Sequence, residues 1–156
     1  MVEKIDSFLS ADTLGIEETE REALLRVLEA LESGQIVYDP TCSEAKRGFN
    51  FASVVARHDD VWCACILGWS KLLSGDERPF EMYVSKLAFD PVRRILPISR
   101  RLDALLDLFF GPIDKKWELS APRPEQAAQA LRNYLTTGLS RWNEVMGVSN
   151  GVPAKQ

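Results

Sequence analysis

Residues 61–73 read Val61-Trp62-Cys63-Ala64-Cys65-Ile66-Leu67-Gly68-Trp69-Ser70-Lys71-Leu72-Leu73, and this stretch decides the fold reading. Lys71 is its only charge. Val61, Trp62, Cys65, Ile66, Trp69, Leu72 and Leu73 recur at the spacing of one helical face. A helix so poor in charge is buried on most sides. The spacing predicts a buried central helix over about 60–74, ended by Gly75. Asp59 or Asp60 caps its start by accepting backbone N–H bonds. Gly68 costs about 1 kcal/mol of helix propensity relative to Ala, and close approach of a neighbouring helix offsets that cost.

Upstream, Phe49 to Arg57 reads as a short helix with Phe51, Val54 and Val55 facing inward. Residues 35–50 read as a loop, in which Gln35 to Tyr38 fits a brief strand and Asp39-Pro40 turns the chain. Before it, Ile16 to Ser33 is a clear amphipathic helix. Ala23, Leu24, Val27, Leu28 and Leu31 form its stripe, and Glu17, Glu18, Glu20 and Glu22 sit near its positive N-terminal end. Thr19 and Glu22 have capping-box spacing, and Gly34 stops the helix.

Downstream, Phe80, Tyr83, Val84, Leu87 and Ala88 keep helical spacing, although Phe80 to Val84 also fits a strand. Asp90-Pro91 opens a short piece that Pro97 stops. Ser99 caps a helix carrying Leu102, Leu105, Leu106, Phe109 and Phe110, which Gly111-Pro112 ends. Trp117 anchors the loop 113–124. Pro124-Glu125 opens the last strong helix, with Ala127, Ala128, Leu131, Tyr134 and Leu135 on one face. Gly138 ends or kinks it, and Leu139 and Trp142 close the core. The apolar period stays near 3.6, and alternation of the strand kind is scarce. The fold expectation is all-α: a single compact domain of five to seven short helices around the central one. It spans residues 1–146, and residues 147–156 form a flexible, polar tail.

A chain of 156 residues suits one domain with its own core. Its composition, 46% hydrophobic and 27% charged, is that of an ordinary soluble protein. The longest uncharged helical run, Val61 to Ser70, is half a membrane span. The N-terminus carries acid where a signal peptide needs base, so the expected location is cytoplasmic. Three cysteines without a secretory signal read as free thiols packed as small apolar groups. The net charge of −4 is unevenly spread. Residues 1–34 carry nine acids and three bases, whereas residues 91–123 carry seven bases and four acids.

Phe49-Asn50-Phe51, followed by Cys65-Ile66-Leu67-Gly68-Trp69, resembles an uncharacterised small domain family of phages and bacteria. That family has a Phe-Asn-Met segment and then a paired-cysteine segment ending Cys-Ile-Ala-Gly-Trp. A leucine-rich segment ending Leu-Phe-Phe follows in the family, as Leu105 to Phe110 does here. Pro124-Glu125-Gln126-Ala127-Ala128, Leu131, Thr137-Gly138 and Trp142 extend the likeness, which covers about residues 49–142. There are departures: the family's first cysteine falls at Asp60, and Phe51 replaces its Met. The resemblance implies phage or mobile-element ancestry and no activity.

Cys42, His58, Cys63 and Cys65 have the composition of a structural zinc set. Residues two apart on a helix point about 200° apart, so Cys63 and Cys65 both ligate only if Cys63 precedes the helix proper. Against zinc stands the reading of core thiols beside a surface or capping His58. Cys63 in a first helical turn, with His58 nearby and Asp59 or Asn50 to orient it, would also have the parts of a thiol nucleophile. Asp59-Asp60 and Asp76-Glu77 read as caps or solvated pairs, and Asp103 and Asp107 lie within reach of Arg100 and Arg101. There is no phosphate loop, dinucleotide fingerprint or hydrolase motif, so no cofactor is implied. Arg93, Arg94, Arg100, Arg101, Lys115, Lys116 and Arg123 would contact phosphates if they shared a face. A sequence pI near 5.1 and the lack of a continuous basic helix oppose that reading. The leading expectation is therefore a non-enzymatic protein that binds another protein and no membrane. Trp117 and the basic residues from Arg93 to Lys116 are its candidate contacts. A nucleic-acid-associated regulator and a cysteine- or zinc-dependent enzyme are the alternatives.

Overall fold

The computed structural model describes residues 7–39, 47–51, 55–58, 61–75, 98–111 and 122–147; of 55–58, 61–62 and 98–103 it describes the backbone alone. In chain order the elements are α1 (Ala11–Leu14), α2 (Glu18–Glu32), β1 (Val37–Tyr38), β2 (Arg47–Phe49), β3 (Val55–His58) and β4 (Val61–Ala64), then α3 (Ile66–Ser74), α4 (Ile98–Phe110), α5 (Pro124–Thr137) and α6 (Trp142–Val145). The four strands form one sheet in the order β1-β2-β4-β3. The first three run parallel, and β3 pairs antiparallel with β4 at the edge.

This sheet overturns the all-α expectation: among the described residues the chain is mainly helical with a small mixed sheet, an α/β mixture. The expected central helix over about 60–74 is in fact a strand followed by a nine-residue helix. The expected helix over 49–57 is the end of β2, a turn at Phe51 and the strand β3. The reason lies in β4. Cys63 and Ala64 are consecutive strand residues, so they face opposite sides of the sheet. Both are fully buried. A strand covered on both faces shows an unbroken apolar run, which periodicity cannot tell from a buried helix. Val61 and Trp62 are residue types that favour a pleated backbone.

Capping also differs from expectation. Asp59 and Asp60 lie outside the described residues, and the residue at the N-cap of α3 is Cys65. Thr19 sits inside α2, whose N-cap is Glu17. The Thr19–Glu22 capping box therefore does not form. The helix stops are as expected: Gly34, Gly75, Gly111 and Gly138 all have left-handed φ at helix ends.

Phe49 and Ala64 stand in register on neighbouring strands and lie in the main core. There they meet Leu24, Val27 and Leu31 of α2, Ile66 and Trp69 of α3, Leu105 and Leu108 of α4, and Leu131 and Leu135 of α5. Polar ties at the ends of elements fix how these helices sit. Arg26 donates from Nη1 to the Leu73 carbonyl at the end of α3 (3.0 Å). Leu9 N–H reaches the Leu135 carbonyl in the last turn of α5 (2.7 Å). Each donor satisfies a carbonyl that its helix leaves without an internal partner.

Arg132 on α5 makes a two-pronged contact with Glu32 at the end of α2, Nε to Oε2 at 3.0 Å and Nη2 to Oε1 at 2.7 Å. Its guanidinium also lies over the Phe8 ring, 5.5 Å from the centroid. Both members of the ion pair remain partly exposed. Arg132→Ala is therefore expected to cost only about 0.5–1 kcal/mol in urea unfolding, with a smaller deficit at high salt. A salt-independent loss would assign the effect to packing on Phe8 instead.

No helix among the described residues is long and apolar enough to cross a membrane.

Candidate functional site

Cys65 is the residue around which the sequence motifs gather. It lies between β4 and α3 as the N-cap residue of the helix, and it is 1% exposed. Burial pushes its thiol up from the ordinary range and outweighs the backbone N–H groups of Gly68, Leu67 and Cys65 itself, which favour the thiolate. Cys63 is fully buried on β4 and donates from Sγ to the Asp39 carbonyl at 3.8 Å. Cys63 was expected in a first helical turn with the helix dipole behind it. The structure puts Cys63 on β4 instead, and it is Cys65 that stands at the helix start, as the N-cap of α3, where desolvation dominates. A nucleophilic cysteine needs an accessible, electropositive site, and neither thiol has one.

Both side chains are expected to resist iodoacetamide in the folded protein at neutral pH and to react in concentrated urea, read peptide by peptide by mass spectrometry. Rapid native labelling of Cys63 or Cys65 would contradict their burial. The pH dependence has a definite sign. A thiol that ionises less readily folded than unfolded stabilises the fold below the ordinary thiol range, and that contribution is lost as pH rises beyond it.

Around Cys63 the sheet is tightly built. Gly48 of β2 lies in register with Cys63. A Cβ on Gly48 would stand 2.8 Å from Asp39 Cβ and 3.2 Å from Cys63 Sγ. Asp39 is buried, and its carbonyl also accepts from Asn50 Nδ2 (3.2 Å). Trp69 Nε1 donates to the Gly48 carbonyl (2.9 Å).

These contacts give the motif residues physical roles. Phe49 fills the core. Asn50 ties the end of β1 to the turn after β2. Phe51 meets Trp142 edge to face, with ring centroids 5.2 Å apart. Cys65 starts α3, and Trp69 binds back to β2. Asn50, Phe51, Trp69 and Trp142 thus act as structural fasteners, drawn from segments about ninety positions apart in the chain.

The other expected site residues divide as follows. Cys42, Arg93, Arg94, Lys115, Lys116 and Trp117 lie outside the described residues. His58 ends β3, and Arg100 and Arg101 fall in α4, but their side chains are outside the description. Among the described residues no three His, Cys, Asp or Glu side chains form a group able to hold a metal ion. Arg123 is engaged locally, its guanidinium 4.6 Å above the Tyr38 ring. Asp107 accepts a hydrogen bond from the Ser140 hydroxyl (2.7 Å).

The outer rim of α4 is apolar. Leu106 and Phe110 are 39% and 44% exposed, whereas Leu105, Leu108 and Phe109 are buried. Leu139, expected to close the core beside Trp142, is 55% exposed. Leu106 and Phe110 are one turn apart and so share a helix face. Leu139 immediately precedes Ser140, which the bond to Asp107 holds against the same helix. The loop that presents Leu139 is well tied. Thr137 Oγ1 donates to the Asn133 carbonyl (2.7 Å) and accepts the Leu139 N–H (3.3 Å). Asn133 Nδ2 donates to the Ser140 carbonyl (3.0 Å).

A signal for this surface existed in the sequence. The apolar residues of α4 spread over about 200° of its circumference at 100° per residue, wider than one packed face covers. Which edge of that arc stays open is decided by the position of α5.

No known protein family, curated protein or solved structure matches the chain.

Proposed function

We propose that the chain is a non-catalytic domain that binds another protein, and that the outer face of α4 with the adjoining Leu139 loop takes part in the contact. The single observation behind this reading is the placement of Leu106, Phe110 and Leu139 on the outside, at 39%, 44% and 55% exposure. Isolated exposed apolar residues need no explanation. Three large ones beside a helix and a loop held by side-chain hydrogen bonds fit the apolar centre of a protein contact. The burial of Cys63 and Cys65 supports the same reading, because it leaves those thiols to the scaffold. Phage or mobile-element ancestry belongs to this proposal and rests on the sequence resemblance.

The test uses two baits in lysate of the native host, the wild type and the Leu106→Asp/Phe110→Asp double variant. Both changed positions are outside the core, so the variant is expected to keep its circular dichroism and melting temperature. It is expected to lose proteins that the wild type retains. Identical retained sets for the two baits, or nothing retained by either, would remove the proposal.

A further inference from the structure

We draw no further inference here: the strongest candidate, the apolar patch of Leu106, Phe110 and Leu139 on the outer face of α4 and its neighbouring loop, is the surface on which the proposed function already rests, and nothing in the structure shows which partner chemistry covers it.

Discussion

Replacing Trp142 by Ala is expected to lower the unfolding free energy by about 3–5 kcal/mol, the usual range for removing a large buried ring. Trp142 is 1% exposed and touches three separate parts of the chain. Its ring meets that of Phe51, from the turn after β2, in a T-shaped contact. It belongs to the core cluster shared by α2, α3, α4 and α5. Its Nε1 donates to the Leu108 carbonyl at 3.0 Å. That last bond has a reason in the sequence. A carbonyl at position 108 of a helix looks for the N–H of residue 112, and residue 112 is a proline, which has none. The indole supplies the donor that Pro112 lacks. Trp142→Ala therefore leaves both a cavity and an unsatisfied carbonyl. Domains of this kind have a total stability of about 5–15 kcal/mol, so the loss is a large share of the whole. At about 2–4 °C per kcal/mol for a chain near this length, the melting temperature should fall by roughly 6–20 °C. Trp142→Phe separates the two contributions. It keeps an aromatic ring against Phe51 but loses the donor and part of the ring volume, so its cost should lie between the about 1–3 kcal/mol of one unsatisfied buried group and the cost of Trp142→Ala. Thermal and urea unfolding of both variants measure this, and a Trp142→Ala protein within 1 kcal/mol of the wild type would contradict the role assigned to the indole.

The helices that were legible in the sequence share a physical property: their signals are local. The period of α2 runs for fifteen residues, and Gly34 follows it. The start of α5 is written in Pro124 and its stop in Gly138, and Arg123 N–H is met by Gln126 Oε1 at 2.9 Å. Apart from Gln35 to Tyr38, which fits a brief strand and contains β1, the sheet has no such local mark. Its strands are two to four residues long, too short for an alternation to be counted. They exist because distant pieces pair, Val37 with Gly48 and Gly48 with Cys63. Partners of that kind are set by the tertiary fold, and β propensity follows the packing environment more than the residue type. The same distinction runs through the candidate site. That Cys63 and Cys65 are core thiols could be read from their apolar neighbours. That Leu106 and Phe110 face outward could not, because their own helix looks alike on both edges of its apolar arc. Only the position of α5 and Ser140 settles which edge is covered.

Gly48 carries the second large prediction, because it is where sheet pairing and side-chain packing meet. It sits on β2 between β1 and β4, with backbone neighbours on both sides. Its φ is not left-handed, so strain is not the issue. Space is. An added methyl would stand 2.8 Å from Asp39 Cβ, 3.1 Å from Asp39 Oδ2 and 3.2 Å from Cys63 Sγ. The first of these is fixed to the backbone and cannot swing away, unlike the end of a long side chain. Asp39 itself is held by its N–H to the Phe49 carbonyl (3.0 Å) and by Asn50. Gly48→Ala must therefore push β1 away from β2, at about 1–3 kcal/mol for overpacking in a dense interior. Gly48→Val adds two more carbons in the same place and should cost more, enough to reduce soluble yield. Glycine normally weakens a strand, so in open space Gly48→Ala would stabilise by a few tenths of a kcal/mol, and the sign of the change is itself diagnostic. The paired variant Gly48→Ala/Asp39→Gly removes the closest atom. It should recover part of the loss relative to the sum of the single changes, since residues in contact are not additive. Gly48→Ala/Cys63→Ala relieves only the 3.2 Å contact and should recover less. Greater recovery in the second pair would place the crowding at the sulfur, and a more stable Gly48→Ala would mean that β1 does not lie against β2 at this register.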